Sequence, residues 1–389
     1  MLRVKTELHS GLVGERLSAA HMPSLDGVRG IAILWVMLYH FLPLGDGDSV
    51  VVNAVYELTG AGWLGVDLFF ILSGFLITRI LVTSRKHPGY FRNFYSRRFL
   101  RIFPLYYGVL AVVLLTPLML PALRTPEFTS QIWSSQGWLW LYGMNWHHWW
   151  HGEWLFDAEW IELNHFWSLA VEEQFYLAWP LLLWALPPRA WIPVLASLVV
   201  SFNGIRLVNA LYGSELPHFR MDGLIIGALL YLMLADLRYR GFIVDWGTRL
   251  FPWGVAAFVM FTFWREHGLR PSDRMVSVVG LPLFQCIMAC GMVRALAAPE
   301  ASRGYGVLNG RVLASLGRYS YGLYVYHVLL RPCLNPSSIQ SFVLPEAIRG
   351  TVVGALLGAA TLTAIAFLMA WVSYHAFEKR FLALKVRFR

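Results

Sequence analysis

Two ionisable side chains stand in an apolar stretch near the start of this sequence. The stretch reads LDGVRGIAILWVMLYHF and contains Arg29 and His40, eleven positions apart. At 3.6 residues per turn, both side chains fall on one helix face, about 16 Å apart along the axis. Such groups are costly in lipid and usually face a bundle interior or a wet cavity. The spacing therefore predicts a fixed cation and a proton-accepting imidazole on one inward face.

Each of these two residues also has a structural explanation. Arg29 could anchor the helix end by snorkelling, and Asp26 could cap the helix or pair with the guanidinium. His40 could be a core histidine bonded to a carbonyl oxygen. The presence of further polar residues inside other apolar runs favours chemistry over these explanations.

A second polar site lies in NHFWSLAVEEQFYLAWP, where two adjacent glutamates stand about two turns inside an apolar run. Ser168, Glu172 and Tyr176 share one helix face, and Glu173 points to the next. A carboxylate beside an imidazole fixes its tautomer and raises its basicity, as general-base chemistry requires. We therefore expect Glu172 to orient His40. The structural alternative is a glutamate paired with an arginine that holds the bundle together.

A third polar site lies in the later run LGRYSYGLYVYHVLL, in which Tyr324 and His327 share a face. Both side chains could contact a substrate. The alternative is an aromatic belt with hydrogen-bonding tips at the membrane interface, which is the more economical interpretation of His327.

A basic stretch, RRFLR, places Arg98 and Arg101 three residues apart. Two guanidinium groups at this spacing could grip a phosphate-bearing donor, although an excess of cations at the cytoplasmic boundary needs no further function. Ser73 in GVDLFFILSGFLI is a candidate nucleophile without a nucleophile-elbow pattern. The small residues beside it also suit close helix approach.

No metal site is predicted. Cys286 and Cys290 share a helix face, but small apolar fillers explain them better than ligands do. His147 and His151 have helical spacing but no identifiable third ligand.

The composition is that of an integral membrane protein. Of 389 residues, 57% are hydrophobic and only 14% are charged, and the mean hydropathy is +0.52. A soluble protein of this length carries nearly twice that charge density. Most basic residues fall in short connections between apolar runs, so the net charge of +9 reflects membrane topology and not binding to nucleic acid.

The hydropathy pattern predicts an all-α polytopic fold with about ten transmembrane helices. Apolar runs lie near residues 28–44, 62–83, 101–121, 166–186, 190–204, 220–236, 249–265, 275–293, 312–331 and 349–373. The positive-inside rule then places both termini in the cytoplasm, provided that residues 131–145 form an interfacial or re-entrant segment. We expect a cytoplasmic tail over 1–24, one membrane domain over 25–381 and a basic cytoplasmic tail over 382–389.

Four stretches resemble, in order, the elements of the membrane-bound acyltransferase-3 family. They are an Arg-x10-His element with Arg29 and His40, an FFxxSG element with Ser73, an RxxR element with Arg98 and Arg101, and a W-S-L-x-x-E-x-x-F-Y element with Trp167, Ser168, Glu172 and Tyr176. The resemblance covers about residues 25–381. Each element alone is weak evidence, but the order and spacing are specific.

The resemblance implies a membrane O-acyltransferase that modifies a cell-surface glycan in the bacterial inner membrane. It implies acyl-CoA, with acetyl-CoA as the default, as co-substrate and a glycan or glycolipid as acceptor. Arg29, Arg98 and Arg101 would then hold the donor, and His40 would act as base. Trp167, Ser168, Tyr176, Tyr324 and His327 would line the acceptor site.

Other points stay open at the level of sequence. Direct transfer and an acyl-enzyme on His40 or Ser73 are both compatible with these residues, and a homodimer is an open assembly state. Some family members carry a further extracytoplasmic hydrolase-like domain. Because this sequence stops at Arg389, we expect it to act alone or with a separate partner.

A transporter of an acylated or anionic solute is the competing function, with the same ionisable groups acting as a proton relay. Transporters built on inverted repeats show broken helices at corresponding positions of their two halves. No such pair is visible in this sequence.

Overall fold

The fold is helical throughout the part of the chain that the computed structural model describes. That part comprises residues 2–42, 50–119, 136–153, 155, 162–212, 220–265, 269–330, 341, 343–349 and 351–388. No strand occurs within these ranges, which confirms the predicted all-α class.

The structure gives the bounds of the following α-helices. In order they are α1 (Leu2–Ser18), α2 (Pro23–Phe41), α3 (Val50–Gly60), α4 (Gly65–Ser84), α5 (Tyr90–Met119), α6 (Met144–His151), α7 (Phe166–Ala185), α8 (Pro188–Tyr212), α9 (Met221–Ala235), α10 (Leu237–Trp264), α11 (Leu281–Ala297), α12 (Arg303–Leu308), α13 (Arg311–Arg318), α14 (Ser320–Leu330), α15 (Val352–Ser373) and α16 (Lys379–Ala383).

The helices belong to two compact units. Unit 1 comprises Met1–Tyr39, Pro43–Val82 and Ala185–Ser320. Unit 2 comprises His40–Leu42, Thr83–Trp184 and Tyr321–Arg389.

Five helical stretches among the described residues are long and apolar enough to cross a membrane. They are Val52–Ser84, Tyr90–Thr116, Pro188–Ala210, Val276–Ala297 and Val352–Arg387, and the shorter helix α9 is also apolar. Length and composition therefore support an integral membrane protein with several spans. The number of ten spans and the cytoplasmic position of both termini stay predictions.

The first residues form a helix that is fastened to unit 1. Arg16, in the last turn of α1, donates hydrogen bonds to the carbonyl oxygens of Leu296 (2.7 Å) and Ala298 (2.7 Å) at the end of α11. A guanidinium at a helix C-terminus satisfies carbonyls that have no partner within the helix and also favours the helix dipole. The polar stretch 1–24 thus contains an ordered helix.

Helix α5 begins eleven residues earlier than the apolar run predicts, at Tyr90 instead of residue 101. The reason is packing against α7 within unit 2. The phenol of Tyr95 donates to the carbonyl of Leu177 (2.8 Å), and that of Tyr90 to the carbonyl of Pro180 (3.3 Å). Arg98 therefore lies inside a helix, not in a connecting loop.

The segment near 131–145 is broken where the structure describes it. Residues 136–140 are helical, a turn follows, and α6 begins at Met144. The carbonyl of Tyr142 accepts a hydrogen bond from Gln174 Nε2 (2.8 Å), and the side chains of Asn145 and Gln174 bond to each other (2.9 and 3.0 Å). An interfacial or re-entrant placement of this segment stays a prediction, and residues 131–135 lie outside the described part.

Close helix crossing explains the glycine beside Ser73 in unit 1. A Cβ atom on Gly74 would lie 1.8 Å from the carbonyl oxygen of Leu224, and one on Gly227 would lie 1.9 Å from that of Ile71. Helices α4 and α9 can therefore approach only because both positions lack a side chain. The small-residue interpretation of this motif is confirmed, and a nucleophilic role of Ser73 stays a prediction.

Two buried ion pairs hold the same region of unit 1. Asp67, at the start of α4, pairs with Arg220, and Asp222, at the start of α9, pairs with Arg206. Both carboxylates are fully buried, and the guanidinium of Arg220 also lies 4.9 Å from the ring centre of Trp63. Buried charges of this kind depend on their partners, because removal of one leaves the other without compensation.

We expect Asp67→Leu to lower the free energy of unfolding by about 3–5 kcal/mol, because Arg220 loses its carboxylate in a buried site. The double variant Asp67→Leu/Arg220→Met should recover much of this loss. Unfolding of purified protein in detergent measures both. Asp245→Asn, which breaks the exposed pair with Arg249 (2.7 Å), is the control and should change little. If Asp67→Leu were as stable as the double variant, buried Arg220 would not depend on the carboxylate of Asp67.

Candidate functional site

Three histidines meet near the start of α7 in unit 2. His40, at the end of α2, lies edge-on to His327 of α14, with ring centres 4.8 Å apart. His165, just before α7, lies 5.4 Å from His327 in the same way. His165 and His327 are buried, and His327 is inaccessible to solvent. The structure thus brings two predicted residues together and adds a third that the sequence did not indicate.

Backbone contacts fix the protonation pattern of the two buried imidazoles. His327 Nδ1 lies 2.7 Å from the carbonyl oxygen of Tyr324, and His165 Nε2 lies 3.3 Å from that of Val325. A carbonyl only accepts hydrogen bonds, so these ring nitrogens carry the hydrogen in the neutral rings. His327 Nε2 and His165 Nδ1 are then acceptors, and neither has a hydrogen-bond partner among the described residues. The cluster therefore contains two buried nitrogens that could receive a proton or a donor group.

A hydroxyl pair supports the cluster from α7 and α14. The oxygens of Ser168 and Tyr324 lie 2.5 Å apart, and both lie near the carbonyl oxygen of His165, at 3.1 and 3.0 Å. The structure brings Ser168, Tyr324 and His327 together, and their contact with a substrate stays a prediction. Tyr324 and His327 are both buried within the protein.

A second polar cluster lies further along α7. The hydroxyl of Tyr176 is hydrogen-bonded to Glu172, and the guanidinium of Arg98 lies 5.9 Å from the ring centre of Tyr176. Arg98 also interacts electrostatically with Glu172 and Glu173. The sequence predicts a role in donor binding for Arg98 and a contact with His40 for Glu172. In the structure, Arg98 of α5 lies close to Glu172 of α7. This proximity arises because α5 runs antiparallel to α7 and Arg98 lies well inside α5.

This arrangement favours the arginine-paired alternative for Glu172. Glu172 accepts a hydrogen bond from Tyr176 and lies within electrostatic range of Arg98. A pair between Glu172 and His40 stays a prediction. Trp167 is half-buried on α7, and its contact with a glycan likewise stays a prediction.

The remaining predicted cations divide between the two units. In unit 1, Arg29 pairs with Asp26 (2.7 Å), as expected from the sequence. In unit 2, Arg101 interacts electrostatically with Glu378 and with Lys385. Lys385 follows α16 and is also within electrostatic range of Arg98, so it extends the predicted cation pair to a third residue. A donor site built from Arg29 and the RxxR element stays a prediction.

A cavity of about 560 Å³ adjoins the second cluster within unit 2. Its walls are largely apolar side chains of α5 and α7, with Phe388 on another side. Arg98, Glu173 and Tyr142 supply polar groups to the lining. The Oε1 atom of Glu173 and the phenol oxygen of Tyr142 are buried without a hydrogen-bond partner among the described residues. These two atoms could therefore supply one hydrogen-bond acceptor and one donor to a bound molecule.

The described residues contain no group of three or more side chains that could hold a metal ion. His147 and His151 do stack, with ring centres 4.5 Å apart. Burial, followed by the nearby charge of His151, lowers the pKa of His147 below its usual range. Cys286 and Cys290 are free thiols on α11.

Comparison with known proteins gives one family and several relatives. The family model described as Acyltransferase domain matches residues 22–375. Peptidoglycan O-acetyltransferase OatA of Listeria monocytogenes is 32% identical over 197 residues, which are 47% of this chain and 28% of that protein. The putative peptidoglycan O-acetyltransferase YrhL of Bacillus subtilis is 28% identical over 344 residues, or 79% of this chain and 48% of that protein.

O-acetyltransferase OatA of Staphylococcus aureus is 28% identical over 346 residues, which are 83% of this chain and 53% of that protein. The chain therefore spans about half the length, or less, of these curated relatives. No solved structure matches it.

We expect Tyr324→Phe to lower the free energy of unfolding by about 1–3 kcal/mol, because it removes a buried hydroxyl that Ser168 and the His165 carbonyl both contact. The variant Ser168→Ala should lower it less once Tyr324 is already Phe, since the two hydroxyls act on one carbonyl. Unfolding of the single and double variants in detergent measures the coupling. Strictly additive losses would contradict a shared role.

Proposed function

The chain belongs to the acyltransferase family whose domain matches residues 22–375, and on that premise we propose that it transfers an acyl group, acetyl by default, from acyl-CoA to a glycan hydroxyl. The acceptor class is a cell-surface polysaccharide, a lipopolysaccharide or an exopolysaccharide precursor. Relatives named for peptidoglycan O-acetylation add a peptidoglycan-type glycan to this class. The observation that carries the proposal is the histidine cluster of His40, His165 and His327, in which His165 Nδ1 and His327 Nε2 have no hydrogen-bond partner among the described residues.

In the proposed reaction, His40 removes the proton from the acceptor hydroxyl while the hydroxyl oxygen attacks the thioester carbonyl carbon. The C–S bond breaks, the new ester keeps the acyl group, and the CoA thiolate takes up the proton from the His40 imidazolium. His327 favours this order of steps, because its Nε2 lone pair, in a buried ring beside His40, stabilises the His40 imidazolium electrostatically.

In this reaction, cationic side chains bind the phosphates of the donor. Arg98 and Arg101 lie in α5, and Lys385 lies within electrostatic range of both. Guanidinium groups bind phosphate in a bidentate manner, and an ammonium adds a point charge. Arg29 of the Arg-x10-His element is proposed as a further residue that binds the donor.

The proposed topology has about ten spans and cytoplasmic termini in a bacterial inner membrane. Acyl-CoA then enters from the cytoplasm, and the glycan or glycolipid acceptor approaches from the other side. The basic connections support this orientation through the positive-inside rule.

We expect His40→Ala to reduce transfer of radiolabel from acetyl-CoA to glycan by about 10²–10⁴-fold, because positioned proton transfer contributes that much. Isolated membranes containing the variant serve for the assay, with expression and helical content measured in parallel. His87→Ala, an exposed histidine in the turn before α5, is the matched control. Retained transfer by His40→Ala would contradict the assignment of His40 as the base. Movement of an acylated solute across the membrane, without transfer of radiolabel to glycan, would favour the transporter.

We expect Lys385→Gln to raise the apparent dissociation constant for acetyl-CoA about tenfold, since a hydrogen bond to a charged group contributes about 1.5 kcal/mol or more. Arg387→Gln removes the same charge from an exposed position on the same segment and should have a smaller effect. Titration of acetyl-CoA at several salt concentrations separates local binding from general charge. Equal effects of the two variants would contradict a specific phosphate contact.

A further inference from the structure

Tyr142 adopts a backbone conformation that aromatic residues rarely occupy. Its φ angle is 52°, and no other non-glycine residue in the described ranges has a positive φ. Its ring stacks on that of Tyr106, with centres 4.2 Å apart, and lies 5.6 Å from that of Phe103. Such strain persists only where the surroundings impose it, and it concentrates at functional sites. The turn after residues 136–140 thus delivers one phenol into unit 2 at an energetic cost.

Tyr142 and Glu173 both line the cavity of about 560 Å³. Tyr142 is 6% exposed, and neither its hydroxyl nor Glu173 Oε1 has a hydrogen-bond partner among the described residues. Buried polar atoms are nearly always hydrogen-bonded in folded proteins, because leaving them unpaired is costly. A ligand that enters the cavity and pairs with both atoms removes this penalty.

The two atoms select the chemistry of that ligand. A phenol donates one hydrogen bond, and a carboxylate oxygen accepts one. A secondary amide matches them, since its C=O accepts and its N–H donates. The rest of the lining is mostly apolar and includes Phe103, Leu177 and Phe388. The cavity therefore suits a chain of methylene groups interrupted by an amide.

The location of the cavity connects it with both clusters of unit 2. Glu173 follows Ser168 by five residues in α7, which is about 8 Å along the helix axis. Ser168 belongs to the histidine cluster through Tyr324, and Arg98 belongs to the lining of the cavity. A chain in the cavity thus contacts a wall that contains Arg98, and Glu173 of that wall lies on the same helix as Ser168.

We propose that Tyr142 and Glu173 bind an amide of the donor's pantetheine arm, with the Tyr142 hydroxyl donating to the amide oxygen and Glu173 Oε1 accepting from the amide N–H. This rests on the proposed acyl-CoA-dependent reaction. Tyr142 is then a residue that selects thioesters with an amide-bearing arm.

The test compares Tyr142→Phe with wild type on four acetyl thioesters: acetyl-CoA, S-acetylpantetheine, S-acetyl-N-acetylcysteamine and S-ethyl thioacetate. The variant keeps the stacked ring and loses only the hydroxyl. We expect kcat/KM to fall about 3–10-fold for the three donors that contain an amide, as for the loss of one hydrogen bond, and to stay unchanged for S-ethyl thioacetate. Tyr107→Phe is the control, because its hydroxyl already donates to the carbonyl of Trp140 (2.8 Å).

Two results would overturn the inference alone: equal losses on all four thioesters, or no loss on any, in membranes where the wild type transfers acetyl groups from acetyl-CoA. Wild-type membranes that transfer none from acetyl-CoA would overturn the proposed function, and this inference with it. Glu173→Gln, which keeps a side-chain acceptor oxygen, should lose less activity on the amide-bearing donors than Glu173→Leu. The reverse order would also contradict the amide contact.

Discussion

A polar side chain that is withdrawn from water must find its partner within the protein, and in a chain of long apolar helices that partner comes mostly from another helix. The pairs of Asp67 with Arg220 and of Asp222 with Arg206 show how unit 1 meets this demand. Each pair joins the start of a helix to a cation elsewhere in the unit. Helices α4 and α9 can then cross closely, because Gly74 and Gly227 leave the room.

The same demand organises unit 2 along α7. At the start of this helix, the hydroxyls of Ser168 and Tyr324 contact each other and the His165 carbonyl. Backbone carbonyls hold the imidazoles of His165 and His327. Two turns later, Tyr176 binds Glu172, and Arg98 balances the neighbouring carboxylates. These polar groups thus form two layers along α7, to which residues of neighbouring helices contribute.

Among the described residues of unit 2, four buried polar atoms near α7 lack a hydrogen-bond partner. His327 Nε2 and His165 Nδ1 lie in the histidine layer, and Glu173 Oε1 and the Tyr142 hydroxyl belong to residues that line the adjoining cavity. A buried group without a partner costs free energy, which a bound substrate can offset. Under the proposed function, the first two atoms would take part in proton transfer and the other two would bind the donor chain.

The sequence by itself determined the membrane class, the all-α fold and most of the residues around which unit 2 is built. Hydropathy and helical spacing suffice for this, since both are local properties of the chain. It did not determine that His165 joins His40 and His327, that Arg98 lies opposite Tyr176, or that Glu173 faces a cavity. Adjacent residues such as Glu172 and Glu173 point about 100° apart on any helix, but only the rotation and register of α5 against α7 decide how each of them lies relative to Arg98 and to the cavity. That register depends on contacts between residues far apart in the chain, as does the strained turn at Tyr142, and no local pattern encodes it.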